Sequence, residues 1–313
     1  MPSLKAGLVV PTYPNLATTL EVIQEADAAG VQTVWQTVGP TRPDAITVFA
    51  AAAATTSRVR LGSSIVPTYP RHPSTLASQA IGVEGIAPGR LRLGVGPSHR
   101  PTIEDSLGIP MGKPLAHLRE YVTVLRALLW EGKVNFSGDY FKVNLDFQEG
   151  TTAPQTPILT STLSVNAYRL AGEIADGALS WVSPVPYLVD VALPALAEGA
   201  ATADRPVPPL IAHVPVAVTT NRQAALDATT RSFGLYGRLP FYAKMFEAAG
   251  VPVAGGKTSA EAIEALTVYG TADQIRARLE AIQAEGIGEV YASHVVVADE
   301  ATERTELMGI LAG

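Results

Sequence analysis

The sequence predicts an α/β protein of the (β/α)8 TIM-barrel class. Short apolar runs alternate with helix-like segments in nearly strict order, and each run ends in small or turn-forming residues. The 313 residues suit one barrel of about 250 residues with insertions. Strict alternation implies parallel strands joined by right-handed crossovers, and no internal repeat suggests a solenoid instead. The expectation is one domain over residues 1–313, with insertions at 97–156, after the fourth strand, and at 233–270, after the seventh.

Leu4 to Val10 is the first strand, and Pro11 to Pro14 its exit loop. Asn15 is placed to cap the helix that follows, with Leu20, Ile23 and Ala26 on one face and Gly30 as its stop. Thr33 to Gln36 reads as the second strand and the alanine-rich Ala45 to Thr56 as a closely packed helix. Arg58 to Val66 and Leu91 to Val95 are the third and fourth strands, with Ser74 to Ile86 as the helix between them. The first insertion holds a loop (Pro97 to Pro114), an amphipathic helix (Leu115 to Glu131) and a hairpin (Val134 to Val143) turning at Ser137, Gly138 and Asp139. Alternation resumes with strands at Pro157 to Thr160 and Gly177 to Trp181 and helices at Val165 to Ala175 and Pro186 to Ala200. Leu210 to Thr219 is the seventh strand, Asn221 caps the next helix, and Phe233 to Gly270 reads as irregular with an aromatic patch. Thr271 caps the last predicted helix, and Glu289 to Val297 is the eighth strand.

Hydrophobic residues make up 47% of the chain and charged ones 17%, which suits a large buried core and argues against disorder. A formal net charge of -6 and the lack of any basic run give no long-range attraction for nucleic acid or an anionic membrane. The chain has no cysteine, which excludes disulfides, thiolate metal sites and a cysteine nucleophile. No apolar run approaches the ~18 residues of a membrane helix, and the N-terminus does not read as a signal peptide. A cytoplasmic, soluble protein is expected.

Ligands bind such a barrel where its strands end. The residues at those ends are Thr12 and Tyr13; Trp35 and Gln36; Ser63, Ser64, Ile65, Tyr69 and His72; Gly96, Ser98 and His99; Thr162, Leu163 and Ser164; and Trp181. No carboxylate pair and no Asp, Glu and His cluster with metal spacing occurs among them, so no metal site is expected. Aromatics, hydroxyls and two histidines suit a planar redox cofactor that carries the chemistry itself. The LGVGPSH stretch ending at His99 lacks the third glycine and acidic partner of a dinucleotide fingerprint.

Five segments, TSRVRLGSSIVPTYPRHPSTLASQA, GRLRLGVGPSH, HLREYVTVLRALLWEGKVNFSGDYF, RLAGEIADGA and TADQIRARLEAIQAEGIGEVYAS, together resemble the bacterial luciferase-like superfamily. The likeness runs in order over nearly the whole chain and is greatest to the branch using the deazaflavin coenzyme F420. Members are TIM barrels that bind a flavin or deazaflavin at the carboxyl ends of the strands. The resemblance implies a non-proline cis peptide at Ser64-Ile65, in a bulge behind the ring, with Ser63 beside it. A strand end whose serines satisfy their own backbone is the alternative reading. It also implies a phosphate loop at Thr162, Leu163 and Ser164, for which simple N-capping by Ser164 is the alternative.

Gly96 and Ser98, with Gln36 and His72, are expected at the coenzyme. Arg42, Arg71 and His72 are candidates for its acidic tail, against a reading as solvated surface charge. His99 is the candidate catalytic residue, able to transfer a proton near pH 7. Tyr13, Trp35, Tyr69 and Trp181 would line the substrate pocket, although core packing explains a tryptophan equally well. One departure stands out: Val38 and Gly39 occupy positions where many deazaflavin relatives carry an Asp-His pair. The expected function is an F420-dependent oxidoreductase acting on a small organic substrate. The alternatives are an FMN-dependent monooxygenase and a non-catalytic flavin-binding barrel. Homodimers are usual among relatives, and alanine-rich helices 45–56 and 74–87 could form such a contact.

Overall fold

Eight parallel strands close on themselves in the computed structural model, which describes residues 4–153, 156–251, 253 and 255–312. They are β1 (Ala6–Val9), β2 (Thr33–Gln36), β3 (Arg60–Ser63), β4 (Leu91–Gly96), β5 (Ile158–Ser161), β6 (Gly177–Leu179), β7 (Leu210–Ala217) and β8 (Glu289–His294). Each pairs with its sequence neighbour, β8 pairs with β1 through Ala6 and Val290, and β7 closes onto β6 through Leu210 and Ala178. This is the TIM barrel the alternation predicts.

Local chemistry fixes the helix starts. Asn15, Ser164, Asn221 and Thr271 each accept a backbone N–H with their side chains, and Thr271 forms a full capping box with Gln274. Gly30 ends the first helix with φ +90°, a conformation that favours glycine. A helix at Glu300–Ala312 follows β8 and completes the eighth unit.

The third strand differs from its predicted span. It stops at Ser63, the Ser64-Ile65 peptide is cis as the resemblance implies, and Val66–Pro67 then pairs separately with Val95 and Gly96 of β4. The predicted Pro97 to Pro114 loop contains a helical turn at Pro101–Ser106. The hairpin forms from Lys133–Ser137 and Lys142–Asp146. Its turn is anchored by Glu120, whose carboxylate accepts the N–H groups of Asp139, Tyr140 and Phe141. The segment read as irregular contains helices Pro240–Ala248 and Ala260–Leu266. It ends in a short strand, Val268–Tyr269, pairing with Val216 and Ala217. Val216 also pairs with His294 of β8, so the short strand lies on the β7 edge that Leu210 and Ile211 share with β6. It extends the wall where β6 has ended.

Inward-facing side chains stack in layers, because alternate residues of each strand face the barrel axis. At the amino-terminal end, Arg92 Nη1 lies 2.8 and 2.7 Å from the two carboxylate oxygens of Glu289, both residues buried. Above that pair a second layer gathers Trp35, Leu159, Leu179, Ile211 and Tyr291. The Arg92 guanidinium sits 4.7 Å from the Trp35 ring centroid. Gly62 and Gly7 flank the indole: a Cβ on Gly62 would lie 2.4 Å from Trp35 Cε3, and one on Gly7 2.6 Å from Nε1. Glycine at these positions is what lets so large a ring lie inside the barrel.

Candidate functional site

The third inward layer, at the carboxyl ends, forms the floor of the barrel mouth. It includes Val9, Ile65 and Trp181, which pack on the layer below, and, by the same alternation along their strands, Gly96, Ser161, His213 and Ser293. Gly96 brings the backbone close to its neighbours, since a Cβ there would stand 2.0 Å from Ser161 Oγ and 3.3 Å from Ile65 Cδ1. Ser64 is 8% exposed, and its hydroxyl is buried without a hydrogen-bond partner. A buried hydroxyl in that condition is one a ligand can satisfy. The neighbouring Ser63 is fully engaged: its Oγ donates to the Gly94 carbonyl and accepts the Gly94 N–H, both at 2.9 Å, tying β3 to β4.

Across the lumen stands an aromatic group that sequence reasoning located only in part. Trp181 stacks on His213, centroids 3.8 Å apart at 26°, and its indole N–H donates to the Tyr236 hydroxyl at 2.7 Å. Phe233 packs edge-on to His213 at 5.4 Å, and Tyr236 meets Tyr242 at 4.9 Å. These last three come from the second insertion and cover the mouth. Tyr242 in turn lies 5.9 Å from the His99 ring. Burial lowers the His99 pKa below the ordinary histidine value, so the imidazole is neutral at pH 7. Ser98, before it, holds φ +63°, a conformation uncommon outside glycine.

The family model for luciferase-like monooxygenases matches residues 3–289. The chain belongs to this family. Within the luciferase-like chain, 209 residues, 64% of its length, are 35% identical to the F420-dependent glucose-6-phosphate dehydrogenase of Beutenbergia cavernae, of which they cover 61%. Another 210-residue match, 63% of the chain, is 31% identical to an uncharacterized Mycobacterium tuberculosis protein and covers 62% of it. The chain thus spans about three-fifths of the length of these curated relatives. Among solved structures, an F420-dependent secondary alcohol dehydrogenase in complex with an F420-acetone adduct superposes with a TM-score of 0.81 at 19% identity, over 99% of both chains. That likeness establishes the common fold.

Other predicted positions of this luciferase-like barrel fall away from the floor. Trp35 is wholly buried in the layer below. Gln36, the next residue, faces outward, its Nε2 3.4 Å from the Val10 carbonyl. The Tyr69 hydroxyl donates to the Met111 carbonyl, and its ring stacks on His117 of the first insertion at 3.9 Å. The Tyr13 hydroxyl bonds the Glu300 carboxylate. Thr162 bonds the Leu179 carbonyl through both N–H and hydroxyl, the Leu163 carbonyl accepts from Tyr187, and Ser164 caps the helix Val165–Ile174.

His72 is exposed and caps the helix Pro73–Ile86, its Nδ1 accepting the Ser74 N–H. Arg42 donates to the Thr12 carbonyl and Arg71 pairs with Asp44 at 2.7 Å. Arg71 also lines a cavity of about 170 Å³ with Val38, Gly39, Pro67 and Thr102, beside the ends of β2, β3 and β4. A second cavity, about 210 Å³, opens between β7, Glu264–Val268 and the helix Ala272–Ala284, with Ser183 and His213 in its lining. Among the described residues, no three His, Asp or Glu side chains are grouped to hold a metal ion.

His213, like Ser161, Tyr236 and Ser293, is a candidate-site residue that sequence reading missed. It sits in a strand of otherwise apolar character, Leu-Ile-Ala-His-Val-Pro-Val-Ala. The available signal was its isolation: a lone histidine on the inward phase of a barrel strand needs polar partners.

Proposed function

We propose that this protein is a coenzyme F420-dependent oxidoreductase that transfers a hydride between the deazaflavin ring and a small uncharged organic substrate. The observation that carries the reading is the Ser64 hydroxyl, buried without a protein partner beside Ile65 at the broken end of β3. It borders a floor without charged side chains, which suits a flat, largely apolar ring. The F420-dependent relative at 35% identity supports the choice of cofactor.

Ser64, Ile65 and Gly96 would hold the ring, with Ser98 at its edge. Thr162 to Ser164, His72, Arg71 and Arg42 would serve its phosphate and acidic tail. Bound F420 supplies the redox chemistry by accepting or donating hydride at its ring. The chain's own contribution is to orient the reactants and exclude water, with the aromatic cover of Phe233, Tyr236 and Tyr242 as the apolar wall. His99, neutral at pH 7 and facing Tyr242, can accept a proton released on the substrate side. With Val38 and Gly39 after β2, no acid or base is available there.

Fluorescence titration of the purified protein with F420 and, separately, FMN tests the reading. Saturable quenching by F420 is expected. Tight binding of FMN alone would replace the reading with a flavin-dependent monooxygenase, and binding of neither would leave a non-catalytic barrel.

A further inference from the structure

We propose that His213 is a positioning residue that fixes the Ser293 hydroxyl as a hydrogen-bond donor into the barrel mouth, where it recognises a carbonyl oxygen on an uncharged substrate. The inference rests on the F420-dependent reading and adds a substrate class to it.

The backbone N–H of Val182 points at His213 Nδ1, at 3.2 Å. An N–H can only donate, so Nδ1 must be the bare acceptor nitrogen, and the ring proton must reside on Nε2. Nε2 lies 2.7 Å from Ser293 Oγ, so the imidazole donates and the serine accepts. With that lone pair used, the serine's own proton has to point elsewhere. Among the described residues no other acceptor bonds Ser293 Oγ, which leaves this proton for a ligand.

Two features keep the arrangement from relaxing. Val182 carries φ +50°, a left-handed conformation that a β-branched residue rarely adopts, and such outliers gather at functional sites. It is fully buried, and this backbone turn delivers its N–H to the histidine. The ring itself is clamped between Trp181 at 3.8 Å and Phe233 at 5.4 Å. Burial holds the imidazole neutral, with a pKa of about 3. A charged ring would set its Nδ1 proton against the Val182 N–H.

Barrel topology assigns the donor to the substrate. In the closed order of eight strands, β7 stands opposite β3 and β8 opposite β4. A ring held against Ile65 and Gly96 therefore turns its free face toward His213 and Ser293. The floor has no charged side chain, so a charged substrate group there would lose its hydration with nothing in return. A ligand offering only donors would meet another donor. A carbonyl oxygen satisfies both conditions.

The test uses the full chain with reduced F420 and a panel of uncharged ketones and aldehydes, following coenzyme oxidation by absorbance. In turnover the carbonyl carbon would take a hydride and its oxygen a proton, both given up by the reduced coenzyme. Wild type should turn over at least one of them. Ser293→Ala should lower kcat/KM about ten-fold, the loss of one hydrogen bond of about 1.4 kcal/mol, while the Kd for F420 changes by less than about two-fold. Ser293→Thr, which keeps the hydroxyl, should restore most of the rate. His213→Phe keeps an aromatic ring beside Trp181 and should reproduce the Ser293→Ala loss, whereas His213→Gln, with a side-chain N–H, should recover part of it. Wild-type turnover by Ser293→Ala, or an F420-loaded wild type that reduces no carbonyl, would overturn the inference and leave the coenzyme reading intact. Absence of F420 binding would overturn both.

Discussion

Replacing Gly62 by alanine probes whether the barrel interior is built around Trp35. The added Cβ would lie 2.4, 2.6 and 2.8 Å from three atoms of the six-membered indole ring, where carbon contacts normally begin near about 3.5 Å. The ring would have to retreat by roughly 1 Å, and it has nowhere to go. Its Nε1 edge already lies against Gly7, Arg92 covers one face, and Tyr291 stands 5.3 Å away. Overpacking of this kind costs about 1–3 kcal/mol. Trp35→Leu should relieve it, so the two changes together should cost less than their sum by about 1 kcal/mol or more. Urea denaturation followed by far-UV circular dichroism on wild type, both single variants and the double variant measures the coupling. A Gly62→Ala protein within about 0.5 kcal/mol of wild type, or strict additivity of the two changes, would refute the packing argument.

Glu289→Gln breaks the buried pair with Arg92 and should destabilise the fold by about 3–5 kcal/mol. Arg92→Met combined with Glu289→Leu should recover most of that loss, as read from denaturation midpoints. If His99 accepts a proton in turnover, kcat/KM is flat above the usual histidine range and falls in acid as pH drops through its lowered pKa. His99→Ala should then reduce turnover far more than F420 binding, and a profile that rises in acid would rule out the base role. The Asp27 carboxylate is raised by partial burial, but donation from the N–H groups of Ser57, Val59 and Arg58 outweighs this and lowers its pKa. Its stabilisation is complete above the unfolded carboxylate value of about 4 and is lost as pH falls through the lower folded value. The difference in thermal midpoint between wild type and Asp27→Asn should therefore be largest at neutral pH and shrink in acid, and a difference that grows in acid would contradict the assignment.

The sequence by itself determined the alternation of strands and helices and the helix starts at Asn15, Ser164, Asn221 and Thr271, because caps and turn residues act within a few residues of chain. It also located the irregularity of the third strand, through the likeness of the GSSIV segment to a known family. Tertiary structure decided which way each strand-end side chain points. Trp35 and Gln36 are adjacent, yet one fills the lumen and the other packs outside, since a single step along a strand reverses the face. Within 233–270, read as irregular, the helix Pro240–Ala248 buries Tyr242 against Tyr236 and the distant His99, a long-range contact with no local signature. His213 and Ser293 are 80 residues apart in the chain and 2.7 Å apart in space. The direct pairing of β7 with β8, in a register that sets His213 opposite Tyr291 and Pro215 opposite Ser293, brings them together.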